Sequence, residues 1–127
     1  DSLMVVVAQR LIRRLCKKCA QPHSLPEAAL LEMGYRKDEL KGFQAMKAGG
    51  CEACNRTGYK GRTALFEVMN IDDDIRNMIL TRAQSRDLKK KAIEKGMLTL
   101  RRSGLVKIKN GVTSVEEVLR ETVRDEF

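Results

Sequence analysis

With 127 residues, 43% of them hydrophobic and 33% charged, the chain has the make-up of a soluble globular protein of one domain or two small ones, without room for a large enzyme core. Its longest apolar run, residues 3–8, is far too short to span a bilayer. The formal charge of +8 invites nucleic acid or a membrane surface, but aromatic residues make up only 4% of the chain and Trp is missing, so stacking platforms are scarce. The basic runs Arg13-Arg14, Lys17-Lys18, Lys89-Lys90-Lys91 and Arg101-Arg102 are scattered, which favours solvated faces over one binding patch.

In chain order, residues 1–15 place Val7, Ala8, Leu11, Ile12 and Leu15 at helical spacing, and Ser2 is a candidate cap, so a helix is predicted there. Its stripe has no obvious partner in so short a chain. That fact, and the start at Asp1 without an initiator Met, lead us to expect an excised piece of a longer protein. Between the cysteines, Ser24-Leu25-Pro26-Glu27 reads as a helix start, Ala28, Leu30, Leu31 and Met33 as its apolar side, and Gly34 as its stop. A short helix is predicted over 37–41 and a strand over 43–47. Residues 57–62 read as a loop or hairpin. Residues 63–69 alternate as a strand does.

From residue 70 onward the pattern is helical. Asp72-Asp73-Asp74 puts negative charge at a helix start, with Ile75, Met78 and Ile79 inward. Ser85 is the expected cap of the next helix, which carries Leu88, Ala92 and Ile93 and stops at Gly96. Thr99 opens a third, with Leu100, Leu105 and Ile108, ending near Gly111. Thr113 with Glu116 and Ser114 with Glu117 are two possible capping boxes for a last helix faced by Val115, Val118, Leu119 and Thr122. The predicted fold class is α+β and mostly helical. Its parts are an opening helix over 1–15, a small tetracysteine subdomain with short strands over 16–69, and a helical bundle over 70–127.

The four cysteines form two CxxC pairs, Cys16/Cys19 and Cys51/Cys54. Each pair can present two thiolates from one tight turn, and together they make a tetrahedral sulfur set suited to structural Zn²⁺. A disulfide framework is the competing use, but the composition is not that of a small secreted scaffold and no signal peptide precedes it. Reduced thiols without a targeting segment predict the cytoplasm. Gly49-Gly50 before Cys51 allows a tight turn in which amides point at sulfur. Four thiolates and one Zn²⁺ would lower the net charge to about +6, with nearby Arg and Lys offsetting the dianionic centre. His23 is an alternative ligand, although four cysteines already complete a tetrahedron.

Catalytic constellations are mostly missing from these 127 residues. There is no Gly-Lys dipeptide, so a Walker A loop is excluded from this stretch. The single histidine has no nucleophile at a familiar spacing, and the carboxylates sit in caps and turns. No catalytic or nucleotide-binding residue is predicted.

The segment from Ala8 through Gln9-Arg10-Leu11 to Cys16-Lys17-Lys18-Cys19 resembles the end of the ATPase core in the type IV pilus assembly and type II secretion ATPases. Gly50-Cys51-Glu52-Ala53-Cys54, then Thr57-Gly58-Tyr59-Lys60-Gly61-Arg62 and Phe66-Glu67-Val68-Met69, is similar to the second half of that family's tetracysteine zinc element. Leu100-Arg101-Arg102-Ser103-Gly104-Leu105 and the stretch from Gly111 to Val118 resemble its C-terminal helical region. The resemblance covers nearly the whole chain and implies a fragment of a hexameric cytoplasmic motor at the inner membrane, with zinc on Cys16, Cys19, Cys51 and Cys54. It implies ATP and Mg²⁺ only in the full-length protein and a membrane platform protein as docking partner, with no nucleic acid expected. The alternative from the residues alone is a free-standing basic zinc-ribbon-like module that binds nucleic acid.

Overall fold

The computed structural model describes residues 4–125, in the order β1 (Met4–Leu15), β2 (Gln21–His23), α1 (Glu27–Met33), β3 (Ala45–Lys47), β4 (Tyr59–Ile71), α2 (Asp73–Leu80), α3 (Ser85–Glu94), α4 (Leu100–Lys109) and α5 (Val115–Glu121). Single 3₁₀ turns lie at Lys37–Leu40 and Glu52–Cys54. The expected α+β class is present, but the two long strands, of 12 and 13 residues, make the chain less helical than predicted.

The largest correction is at the start. The predicted helix over 1–15 is instead strand β1, and the candidate cap Ser2 lies outside the described residues. β1 pairs antiparallel with β4 from Met4 opposite Ile71 to Leu15 opposite Tyr59, with one irregularity between Arg13 and Leu15. The β-branched run Val5-Val6-Val7 favours this geometry, and a strand apolar on both faces mimics helical spacing. The inner face includes Ile12 and Leu65, both fully buried. The second sheet is short: Gln21–His23 pairs antiparallel with Ala45–Lys47, a smaller strand than the predicted 43–47. The expected loop or hairpin at 57–62 is mostly the start of β4.

The helices follow their predicted stripes more closely. Asp72 caps α2 by accepting from the Ile75 amide at 3.0 Å, and Thr99 caps α4 by accepting from the Arg102 amide at 3.1 Å. Glu67 on β4 accepts from the next orphan amide of α4, at Leu100. Gln84, not Ser85, occupies the N-cap of α3, and Ser85 is its first residue. Ile79 and Leu119, expected inward, are about half exposed, at 49% and 45%.

Two apolar clusters organise the molecule. The larger joins Leu30, Met33, Tyr35 and Ala45 to Leu105, Ile108, Val115 and Val118, so the insert between the cysteine pairs packs directly against α4 and α5. The Tyr35 hydroxyl donates to the Leu105 carbonyl at 2.6 Å, which satisfies it inside this core. At Gly104 the two helices approach closely; an added Cβ would lie 2.5 Å from Val118 Cγ1. The smaller cluster holds α2 and α3 to the end of β4 through Ile71, Ile75 and Ala92.

Arg101-Arg102 departs from the expected solvated face. Arg101 is 6% exposed; it donates to the Thr122 hydroxyl at 2.7 Å, the Thr122 carbonyl at 3.1 Å and the Met33 carbonyl at 3.2 Å. Arg102 forks onto Glu39 at 3.1 and 2.8 Å. The Ser114–Glu117 box is half formed. Ser114 accepts from the Glu117 amide at 3.1 Å, but the Glu117 carboxylate turns to Arg13. It accepts from the Arg13 amide at 2.7 Å and from its guanidinium at 3.1 and 2.9 Å, and Arg120 reaches it at 2.9 Å. Thr113, expected to cap with Glu116, donates its hydroxyl to the Arg13 carbonyl at 2.8 Å.

Two predictions follow from these pairs. Glu117→Ala leaves the Arg13 amide without its acceptor and should cost about 2–3 kcal/mol in urea unfolding, the low end for a buried pair because Arg13 and Arg120 reach solvent. The Arg102 guanidinium, against the opposing pull of burial, holds the Glu39 carboxyl at about 2, below its ordinary 4.5. A depressed carboxyl stabilises the fold above its unfolded pKa and loses that contribution as pH falls through the folded one. Glu39→Gln should therefore lower Tm at pH 7, with the gap to the parent closing between pH 4.5 and 2.

Candidate metal centre

The two ribbons bracket the cysteines. Cys16 and Cys19 lie between β1 and β2, and Cys51 and Cys54 between β3 and β4. Pairing of β1 with β4 ends at Leu15 and Tyr59, and the Cys16 amide then donates to the Gly58 carbonyl at 2.9 Å. Strand register therefore carries both CxxC turns to one place.

All four sulfurs lie within 4.8 Å of one another. The Sγ–Sγ distances Cys16–Cys51, Cys19–Cys54 and Cys51–Cys54 are each 3.8 Å. A tetrahedron with metal–sulfur bonds of about 2.3 Å has edges of about 3.8 Å, so the donor set fits one tetrahedral ion. A disulfide would need about 2.05 Å, and all four cysteines are free. Cys16 and Cys54 are buried, while Cys19 and Cys51 are partly exposed. The site is closed, without the open position a catalytic metal requires.

Backbone amides surround the sulfurs as the glycines suggested. Gly50 donates to Cys19 Sγ at 3.2 Å, Cys51 to Cys54 Sγ at 3.3 Å and Gly58 to Cys54 Sγ at 3.1 Å. Such donors stabilise thiolate charge and fix ligand orientation. Gly58 has φ +85°, and a Cβ there would lie 2.3 Å from that of Ala48, so only glycine fits. Burial raises the Cys54 thiol, but these amides and the neighbouring thiols outweigh it and bring it down to about 6. At Cys19 the Gly50 amide lowers the thiol, yet burial and the other three sulfurs outweigh it and push it up to about 11. A cation bound among the sulfurs would favour the thiolate form of all four.

His23 is not part of this group. It sits in β2 opposite Ala45, with a buried Nδ1 that lacks a hydrogen-bond partner. No sequence signal points to the polar lock beside the centre. There Arg13 lies 4.0 Å over the Tyr59 ring, and the Tyr59 hydroxyl is 2.6 Å from Ser114 Oγ. These partners are far apart in the chain, and no local spacing reports them.

Cys51→Ser should reduce bound metal from one ion to near zero per chain by elemental analysis. Hydrogen exchange should rise in the ribbon ends and CxxC turns within residues 16–69 and stay mainly unchanged in α2 to α5. Unchanged metal content and exchange would refute a four-cysteine centre.

The family described as Type II/IV secretion system protein matches residues 1–120. The type IV pilus assembly ATPase PilB of Myxococcus xanthus is 41% identical over 99% of this chain and 22% of that protein. PilB of Acinetobacter baylyi is 43% identical over 95% of the chain and 21% of its own length. The type II secretion system protein E of Aeromonas hydrophila is 39% identical over 98% of the chain and 24% of its own length. The chain thus spans about a fifth to a quarter of these relatives. It belongs to the Type II/IV secretion system protein family.

Proposed function

We propose that the chain is the C-terminal zinc-binding and helical region of a hexameric cytoplasmic ATPase that powers type IV pilus assembly or type II secretion. The observation that carries this reading is the closed four-sulfur centre in a chain about 40% identical, nearly end to end, both to a type IV pilus assembly ATPase and to a type II secretion system protein E. Zinc is the ion that best suits four thiolates in a tetrahedron. The region itself has no nucleotide loop, so ATP and Mg²⁺ belong to the full-length protein.

Residues 1–15 are assigned to the end of the ATPase core. Val5, Val7 and Leu11 share one face of the β1–β4 ribbon with Phe66 and Val68, and all five are 43–56% exposed. A lone two-stranded ribbon is marginal in water, and an apolar face of this kind marks a covered surface. The zinc element, over 16–69, then stands where the core ends and docks to the inner-membrane platform protein. The metal ties both ribbons into a stiff joint, so that core movements reach the docking partner instead of being absorbed locally. Among the described residues no helix is long and apolar enough to cross a membrane.

The test uses the full-length protein. It should hydrolyse ATP with Mg²⁺, whereas the 127-residue chain should not. Cys51→Ser in the full-length protein should keep nucleotide binding but lose most capture of the platform protein's cytoplasmic domain. Undiminished capture after metal loss would overturn the docking role. Steeply salt-dependent DNA binding by the isolated chain would instead favour the nucleic-acid module.

A further inference from the structure

Beside the four-sulfur centre the described residues form a cleft of about 290 Å³ whose walls carry Arg14, Lys17, Lys18 and Lys60. Its floor is Leu15, Cys16 and Ala53, and no carboxylate lines it. None of the four cations takes part in an ion pair among the described residues. Lys17, Lys18 and Lys60 are exposed and Arg14 is half-buried. A metal on four thiolates would carry −2, which these four cations exceed. The cleft therefore keeps a positive surplus with or without the ion.

We propose that this cleft is a docking site for an acidic segment of a partner protein, with carboxylates at its rim and a small apolar side chain on its floor. This deepens the docking role given above and rests on it. Lysine stems supply apolar walls while their ammonium groups stay at the rim, which suits a segment that mixes acidic and small residues. Two other anionic partners fit less well. Among the described residues, none of the large exposed apolar side chains belongs to either CxxC turn, so the patch lacks the anchor that peripheral membrane binding adds to charge. No aromatic residue lines the cleft, and Tyr59, beside the cleft residue Lys60, has one ring face covered by the Arg13 guanidinium at 4.0 Å, so a base finds no stacking platform in the cleft.

The experiment uses the metal-loaded chain and a fluorescein-labelled synthetic dodecapeptide of alternating Glu and Ala. The triple variant Lys17→Gln/Lys18→Gln/Lys60→Gln is compared with Arg86→Gln/Lys90→Gln/Lys109→Gln, which removes the same charge from exposed positions of α3 and α4. The cleft triple should weaken peptide binding about tenfold at low salt, and the control triple less than about twofold. Lys60→Gln alone, on β4 and outside both CxxC turns, should give part of the loss if the triple disturbs metal binding. Equal losses in both triples would show only the pull of net charge and overturn the proposal. So would absent peptide binding by the parent, or tighter binding to phosphatidylglycerol vesicles or duplex DNA than to the peptide. Metal content and capture of the platform domain are read alongside. Intact metal-dependent capture without peptide binding defeats this cleft while leaving the docking role standing; capture that ignores the metal defeats the docking role itself.

Discussion

The pairing of β1 with β4 is the constraint on which the rest of the structure depends. The two strands are distant in the chain, and closing that loop costs conformational entropy that local contacts do not repay. Their ladder from Met4–Ile71 to Leu15–Tyr59 sets the register, and the register sets Cys16 beside Gly58. A slip of one residue would turn Ile12 and Leu65 out of the core and part the cysteines. The short β2–β3 ladder closes the far side of the same loop. Sulfur geometry is thus a product of strand geometry, and a bound ion would lock what the ladders already approximate.

The centre is also tied to the helical tail, by polar contacts and not by apolar burial alone. The end of β1 is held from three directions: Glu117 on its amide and guanidinium, Thr113 on its carbonyl, and the Leu15 amide on the Val112 carbonyl at 2.8 Å. Burial raises the Glu117 carboxyl, but the Arg13 bonds outweigh it and the net shift is downward, so Glu117 stays ionised. Such a buried carboxylate adds directional specificity more than stability, since its desolvation offsets much of the attraction. It fixes the angle at which α5 meets the ribbon, next to Cys16.

The insert between the CxxC pairs is not a free appendage. Leu30, Met33 and Tyr35 share one core with Leu105, Ile108 and Val118, and Arg101 and Arg102 reach from α4 to the Met33 carbonyl and Glu39. A force applied at the ribbon would therefore reach the CxxC turns and the α4–α5 pair together. The side of the centre lined by Lys17, Lys18 and Lys60 stays open to solvent, which is where a partner can approach.

Much of the helical tail was legible because its signals are local. Caps at Asp72, Thr99 and Ser114 and stripes such as Leu105–Ile108 repeat within a turn or two, and each helix hydrogen-bonds within itself. The sulfur set was legible as well, since two CxxC turns constrain their own chemistry wherever they fold. Tertiary structure decided the rest. Residues 4–15 carry apolar side chains on both faces, a pattern that spacing cannot assign to helix or strand until a partner supplies the missing backbone bonds. Glu117 read as a capping residue and Arg101 as a surface charge, because their true partners lie on segments far away in the chain. Local sequence fixes what a residue can do within its own turn of backbone, and only the packed chain decides which distant group it meets.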